Sequence, residues 1–88
     1  MKVEFKASFA KDLRKIKDAS IKKQVSQVIE NVEKAKYLHE IVNLKKIVGA
    51  DTCFRIRMGD YRIGMIIEGE TVIFVRFLHR KDIYRYFP

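Results

Sequence analysis

The chain has 88 residues, 48% of them hydrophobic and 34% charged, which supports one packed core and argues against a disordered chain. Nineteen lysines and arginines against eleven acids leave a formal net charge of +8, an excess that points to nucleic acid or another acidic partner. No apolar run approaches the ~18 residues of a membrane span, residues 1–10 carry no signal-peptide pattern, and one cysteine with two histidines offers no metal-ligand spacing. The expectation is a single cytoplasmic domain over residues 1–88, with no metal, no cofactor and no membrane partner.

In chain order, "MKVEFKA" alternates Val3 and Phe5 with charged residues and reads as a short half-buried strand. Ser8 is a candidate N-cap for a first helix whose apolar stripe is Phe9, Leu13 and Ile16. Asp18 or Ser20 caps a second helix, striped by Ile21, Val25, Val28, Val32 and Ala35. A very short joint makes the two an αα-hairpin. Ile47-Val48 suggest a short strand, followed by a turn around Gly49 to Thr52. Three strands follow, Cys53–Met58, Tyr61–Ile67 and Thr71–His79, and Cys53 reads as a plain core residue. The tail "KDIYRYFP" reads either as a last helical turn or as an extended arm. The fold class is therefore α+β, ordered β-α-α-β-β-β, with the helices packed on one face of a small, mainly antiparallel sheet.

Register places the charges. A two-residue turn at Gly59-Asp60 sets Arg57 opposite Arg62, Ile56 opposite Ile63 and Arg55 opposite Gly64. Arg55, Arg57 and Arg62 then share one face. The next turn, at "EGET", allows two registers that differ in which face every side chain takes. A three-residue turn, Glu68-Gly69-Glu70, keeps Arg76 off the apolar face. It is the reading adopted here, with Ile73, Val75 and Phe77 turned inward. Arg76 and Arg80 then join the arginine face, interleaved with Ile66, Val72, Phe74 and Leu78. His79 falls on the other face, at the strand's end. A like-charge cross-strand pair such as Arg57–Arg62 costs roughly 0.2–1 kcal/mol. The planar guanidinium fork suits phosphate, whereas the bland reading is solvated arginines whose stems cover the sheet.

"FRIRMGDYRIGMIIEGETVIFVRFLHRKDIY", Phe54 to Tyr84, resembles the C-terminal half of the RelE/ParE superfamily of toxins from toxin–antitoxin pairs. The matching features are basic Arg55 and Arg57, the "GDYR" turn from Gly59 to Arg62, His79-Arg80 closing a hydrophobic strand, and Tyr84. The N-terminal half fits the same pattern, with "NLKKI" where the family often has "L-K-G".

The resemblance to the RelE-like branch implies mRNA cleavage in the ribosomal decoding site, by attack of a ribose 2′-OH on the adjacent phosphate. It implies that Arg62 holds the scissile phosphate and that Arg80 stabilises or protonates the leaving side. Tyr84 would stack on a base or orient the 2′-OH, with Tyr86 as the alternative tyrosine and tail packing as the bland role for Tyr84. Arg55 and Arg57 stand where the family often has lysine, and an arginine is effectively always protonated. His79 is then a candidate proton carrier. Lys45 and Lys46 are further candidates for that role and, with Arg55, Arg57 and Arg76, for RNA contact. The implied partners are a cognate antitoxin, acidic where it meets the toxin, and mRNA with ribosomal RNA on the ribosome. Two other readings stay open: a ParE-like inhibitor of DNA gyrase, and a non-catalytic relative that binds RNA or an antitoxin-like partner.

Overall fold

The computed structural model describes all 88 residues. Strand β1 (Lys2–Phe5) leads into helices α1 (Ala7–Arg14) and α2 (Ala19–Lys34). A 3-10 turn at Leu38–Glu40 precedes β2 (Leu44–Lys46). Then come β3 (Cys53–Met58), β4 (Tyr61–Glu68), β5 (Thr71–His79) and a short helix α3 (Ile83–Tyr86). The sheet order is β1-β5-β4-β3-β2, with β1 parallel to β5 and the other neighbours antiparallel. No helix is long and apolar enough to cross a membrane.

Local chemistry starts the helices differently from one another. Asp18 caps α2: its Oδ1 accepts from the Ser20 amide at 2.8 Å and the Ser20 hydroxyl at 2.7 Å. The side-chain and backbone bonds from Ser20 hold the Asp18 carboxyl below its ordinary pKa. Ser8 does not cap α1, as the sequence suggested. Lys6 occupies the cap position, and Ser8 lies inside the first turn. Its hydroxyl donates to the Val75 carbonyl at 2.6 Å, tying α1 to the edge of β5 beyond the end of β1. Ser8→Ala is expected to lower the unfolding free energy by about 1 kcal/mol, measured in a urea melt.

The helix stripes close over one face of the sheet. Phe9, Val25, Val32 and Ala35 meet Ile56, Ile63, Met65, Ile67, Val72, Phe74 and Phe77 in the main core. A second, smaller cluster lies on the opposite face, where Ile83 and Phe87 cover Ile47 and Cys53. Cys53 is thus the core residue its context suggested. The short strand is Leu44–Lys46 rather than Ile47-Val48. Ile47 turns down into the second cluster, leaving Val48 96% exposed.

The second hairpin corrects the expected register. Glu68 pairs with Thr71, so the turn is the two-residue Gly69-Glu70. Gly69 has φ +59°, as does Gly59 in the first hairpin. Glycine with positive φ at the first of two turn positions is the type II′ preference, and both hairpins use it. Val72 and Phe74 therefore point into the main core, both fully buried, and Ile73 points away. The register then shifts: Met65 pairs with Phe74, whereas Gly64 pairs with Arg76, leaving Val75 as the extra residue. This bulge rotates the rest of β5 by one position. Phe77 returns to the core opposite Ile63, and Arg76 lands on the face of Gly64 and Arg62. Burial governs the register, as expected, but through a bulge rather than through the turn.

Candidate functional site

The first hairpin forms as read from the sequence. Arg57 pairs with Arg62, Arg55 with Gly64 and Met58 with Tyr61. Arg55, Arg57 and Arg62 project from the face opposite the two helices. The Arg80 amide donates to the Asp60 carbonyl at 2.7 Å, which pulls the end of β5 onto the β3–β4 turn. Arg80 thereby joins Arg57 and Arg62 around one cleft of about 690 Å³. Val28, Ile41, Ile56 and Met58 give the cleft an apolar side, and no carboxylate lines it.

Each arginine is held differently. Arg62 Nη1 donates to the carbonyls of Gly59 and Tyr61, both at 2.9 Å, so the guanidinium is braced against its own turn. Burial lowers the Arg62 pKa, and so does repulsion from Arg55, Arg57 and Arg80, while Tyr84 works the other way. Arg55 Nη1 donates to the Asn43 carbonyl at 2.9 Å, and its Nε is buried without a partner. Arg80 is exposed, with only a loose 3.9 Å contact from its Nε to Asp60. Four positive side chains crowded in this way repel one another, and an anion relieves the repulsion. Tyr84, on α3, is 61% exposed and also flanks a hollow beside Lys45, Lys46 and Val48.

Three of the candidate residues take other places. Arg76 shares the face but is committed to α1. Its Nε and Nη2 donate to the two carboxylate oxygens of Asp12 at 2.7 and 3.2 Å, and this pairing raises its pKa. Lys45 pairs with Arg55 and shares its face, whereas Lys46 pairs with Phe54, takes the other face and lies 3.8 Å from Asp51. His79 pairs with Tyr61 on the helix side, its ring edge-on to that tyrosine. His79 Nδ1 accepts from the Lys81 amide at 3.2 Å, and the imidazole does not line the cleft. Ile66 and Leu78 lie on the arginine face as expected, packed in the cluster under α3, whereas Val72 and Phe74 do not: both are buried in the main core on the helix side. Sequence reasoning passed over Asp12, a charged residue on the very stripe formed by Phe9, Leu13 and Ile16. Only 5% exposed, it accepts from the Phe77 amide at 3.0 Å as well as from Arg76.

The fold of a helix hairpin over this sheet is shared with solved toxins. The Escherichia coli RelBE toxin–antitoxin complex matches with a TM-score of 0.66 at 18% identity, over 89% of this chain and 94% of that one, a likeness of fold alone. The RelB-RelE antitoxin–toxin complex from Methanococcus jannaschii matches with a TM-score of 0.81 at 41% identity, over 97% of this chain and 99% of that one. The family model described as ParE toxin of type II toxin-antitoxin system, parDE, matches residues 3–84, and the chain belongs to that family. Within it the chain is RelE-like: it is 44% identical over 89 residues to Toxin RelE3 of Methanocaldococcus jannaschii, covering all of both chains.

Proposed function

We propose that this chain is the toxin of a toxin–antitoxin pair and cuts mRNA on the ribosome, with its arginine cluster at the scissile phosphate. The observation that carries the reading is the gathering of Arg57, Arg62 and Arg80 around one cleft free of carboxylates, with Arg55 and Tyr84 close by. In the reaction the ribose 2′-oxygen forms a bond to phosphorus as it gives up its proton, and the bond from phosphorus to the 5′-oxygen breaks as that oxygen takes up a proton from water. The products are a 2′,3′-cyclic phosphate and a 5′-hydroxyl. Charge builds on the phosphoryl oxygens at the transition state, where fixed cationic donors lower the barrier most. Arg62, braced by two carbonyls, holds the phosphate, and Arg80 stabilises the departing 5′-oxygen. Tyr84 stacks on a base or orients the 2′-hydroxyl. An arginine is a poor base, so the proton leaves to water or to the RNA and ribosome rather than to Arg55 or Arg57. His79, on the helix side, is left out of proton transfer.

The partners follow from the charge. Messenger and ribosomal RNA bind the basic face in the cytoplasm, with salt-dependent affinity. The cognate antitoxin presents an acidic segment to the same face, steered by charge rather than by exposed Val72 or Phe74. Lys45→Ala is expected to weaken RNA binding and flatten its salt dependence by roughly one counterion, and Lys46→Ala, whose ammonium also faces Asp51, to do so less. Filter binding across a salt series reads the difference. Tyr84→Ala is expected to slow cleavage by about 10-fold or more, in keeping with ~1–3 kcal/mol per stacked base, and Tyr84→Phe separates stacking from the hydroxyl.

The ParE description of the matching family favours a second reading, inhibition of DNA gyrase. One experiment divides the two. Purified, antitoxin-free protein is incubated with a defined mRNA, with and without ribosomes, and cuts are mapped by primer extension alongside a gyrase supercoiling assay. Cuts that require ribosomes, with supercoiling intact, support the nuclease. Intact mRNA with supercoiling blocked gives the second reading.

A further inference from the structure

We propose that Phe87, seated on Gly64, is a positioning residue that fixes Tyr84 beside the arginine cluster. Helix α3 is too short to persist alone, since a helix of one turn has a nucleation cost that its few hydrogen bonds do not repay. Two side chains anchor it to the sheet: Ile83, fully buried, and Phe87, 3% exposed. Tyr84 sits between them in sequence and projects outward. Its position is therefore set by the anchors rather than by contacts of its own.

Gly64 is the socket. A Cβ at this position would lie 2.7, 2.9 and 3.0 Å from Cδ2, Cγ and Cε2 of Phe87, closer than side chains approach one another. The glycine does not have positive φ, so its backbone makes no demand for glycine. The close approach of the Phe87 ring is what requires it. Gly64 lies two residues beyond Arg62 on the same face and pairs with Arg55 on one side and Arg76 on the other. The ring thus rests in the middle of the arginine-bearing sheet. The connection is pinned as well: Asp82 N–H donates to the His79 carbonyl at 2.8 Å, and Phe87 N–H to the Ile83 carbonyl at 2.8 Å. Arg80, held to the Asp60 carbonyl, and Tyr84, held through Phe87, are consequently parts of one rigid arm.

The kinetic arm of the test rests on the nuclease reading; the exchange arm does not. Phe87→Ala, Phe87→Leu and Gly64→Ala are compared with wild type, and Phe87→Ala is repeated in a Tyr84→Ala background. Hydrogen exchange is followed at the Arg85, Tyr86 and Phe87 amides, all bonded within α3. These amides are expected to lose protection in Phe87→Ala and Gly64→Ala, with the amides of β3 and β4 unchanged. Cleavage kcat is expected to fall roughly 10–100-fold with KM little changed, as for a misplaced catalytic group. Phe87→Leu recovers most of the rate, and Phe87→Ala adds nothing once Tyr84 is gone. Unprotected α3 amides in the wild type, or protection that survives both substitutions, would overturn the proposal. So would an equal loss of rate from Phe87→Ala with and without Tyr84. Should the wild type cut no mRNA, the nuclease reading fails and the exchange result alone decides whether Phe87 holds the arm.

Discussion

Asp12→Ala is expected to destabilise the protein by about 3 kcal/mol, the range for removing one partner of a buried, hydrogen-bonded ion pair. The carboxylate is 5% exposed and accepts three hydrogen bonds, two from Arg76 and one from the Phe77 amide. Without it the Phe77 N–H, on an edge that β1 no longer covers, is buried with no acceptor, and such an orphan costs about 1–3 kcal/mol. Arg76 suffers less, because its side chain is 26% exposed and can turn to water. Asp12→Asn keeps an acceptor for the amide and loses the charge, so about half the effect is expected. Urea unfolding followed by circular dichroism measures both. Equal, small losses for the two variants would show that the amide and the pair carry little.

The same network marks where sequence reading reached and where it stopped. Strands, helices and the first hairpin were legible because each rests on short-range chemistry: Asp18 at a helix start, Gly59-Asp60 at a turn, two-residue alternation in β3 and β4. Gly69-Glu70 offers the same type II′ chemistry as Gly59-Asp60, and weighing it ahead of burial gives the observed turn. What sequence could not supply was the bulge at Val75, where α1 docks along β5 through Ser8 and Asp12. Expecting an uninterrupted strand put Val72 and Phe74 on the wrong face while still placing Arg62 and Arg76 correctly on one. Arg76 looked like an RNA ligand because its partner lies 64 residues away in sequence. Lys45 and Lys46 were indistinguishable until β2 was placed one strand-length earlier than Ile47-Val48. Register alone gathers Arg55, Arg57, Arg62 and Arg80 on one face, whereas their roles, and Tyr84, come from the resemblance. The cleft that Arg57, Arg62 and Arg80 share exists because the Arg80 amide closes on Asp60, a contact that pattern alone does not reveal.

Arg62→Ala is expected to slow mRNA cleavage by about 10²–10³-fold, the effect of losing one fixed donor at a site of developing negative charge. Its stability cost is expected to be small or even reversed. The guanidinium is disfavoured by burial and by the charges of Arg55, Arg57 and Arg80, and removing it relieves that repulsion. The two carbonyls it leaves, of Gly59 and Tyr61, lie at a hairpin turn that water can reach. Arg62→Lys keeps the charge but loses the fork that braces on the turn while holding phosphate, so it should recover only part of the rate. Rate and stability thus move separately, which distinguishes a residue at the phosphate from one that merely holds the hairpin.

The most direct test is the single-turnover rate of cutting a defined mRNA on purified ribosomes, for wild type and Arg62→Ala, with a urea melt of each. A ribosome-dependent cut that slows by about 10²–10³-fold in the variant, with the melt unchanged, is the predicted result. A variant that cuts at the wild-type rate, or a folded wild type that leaves the mRNA whole, would contradict the assignment of the arginine cluster to RNA cleavage.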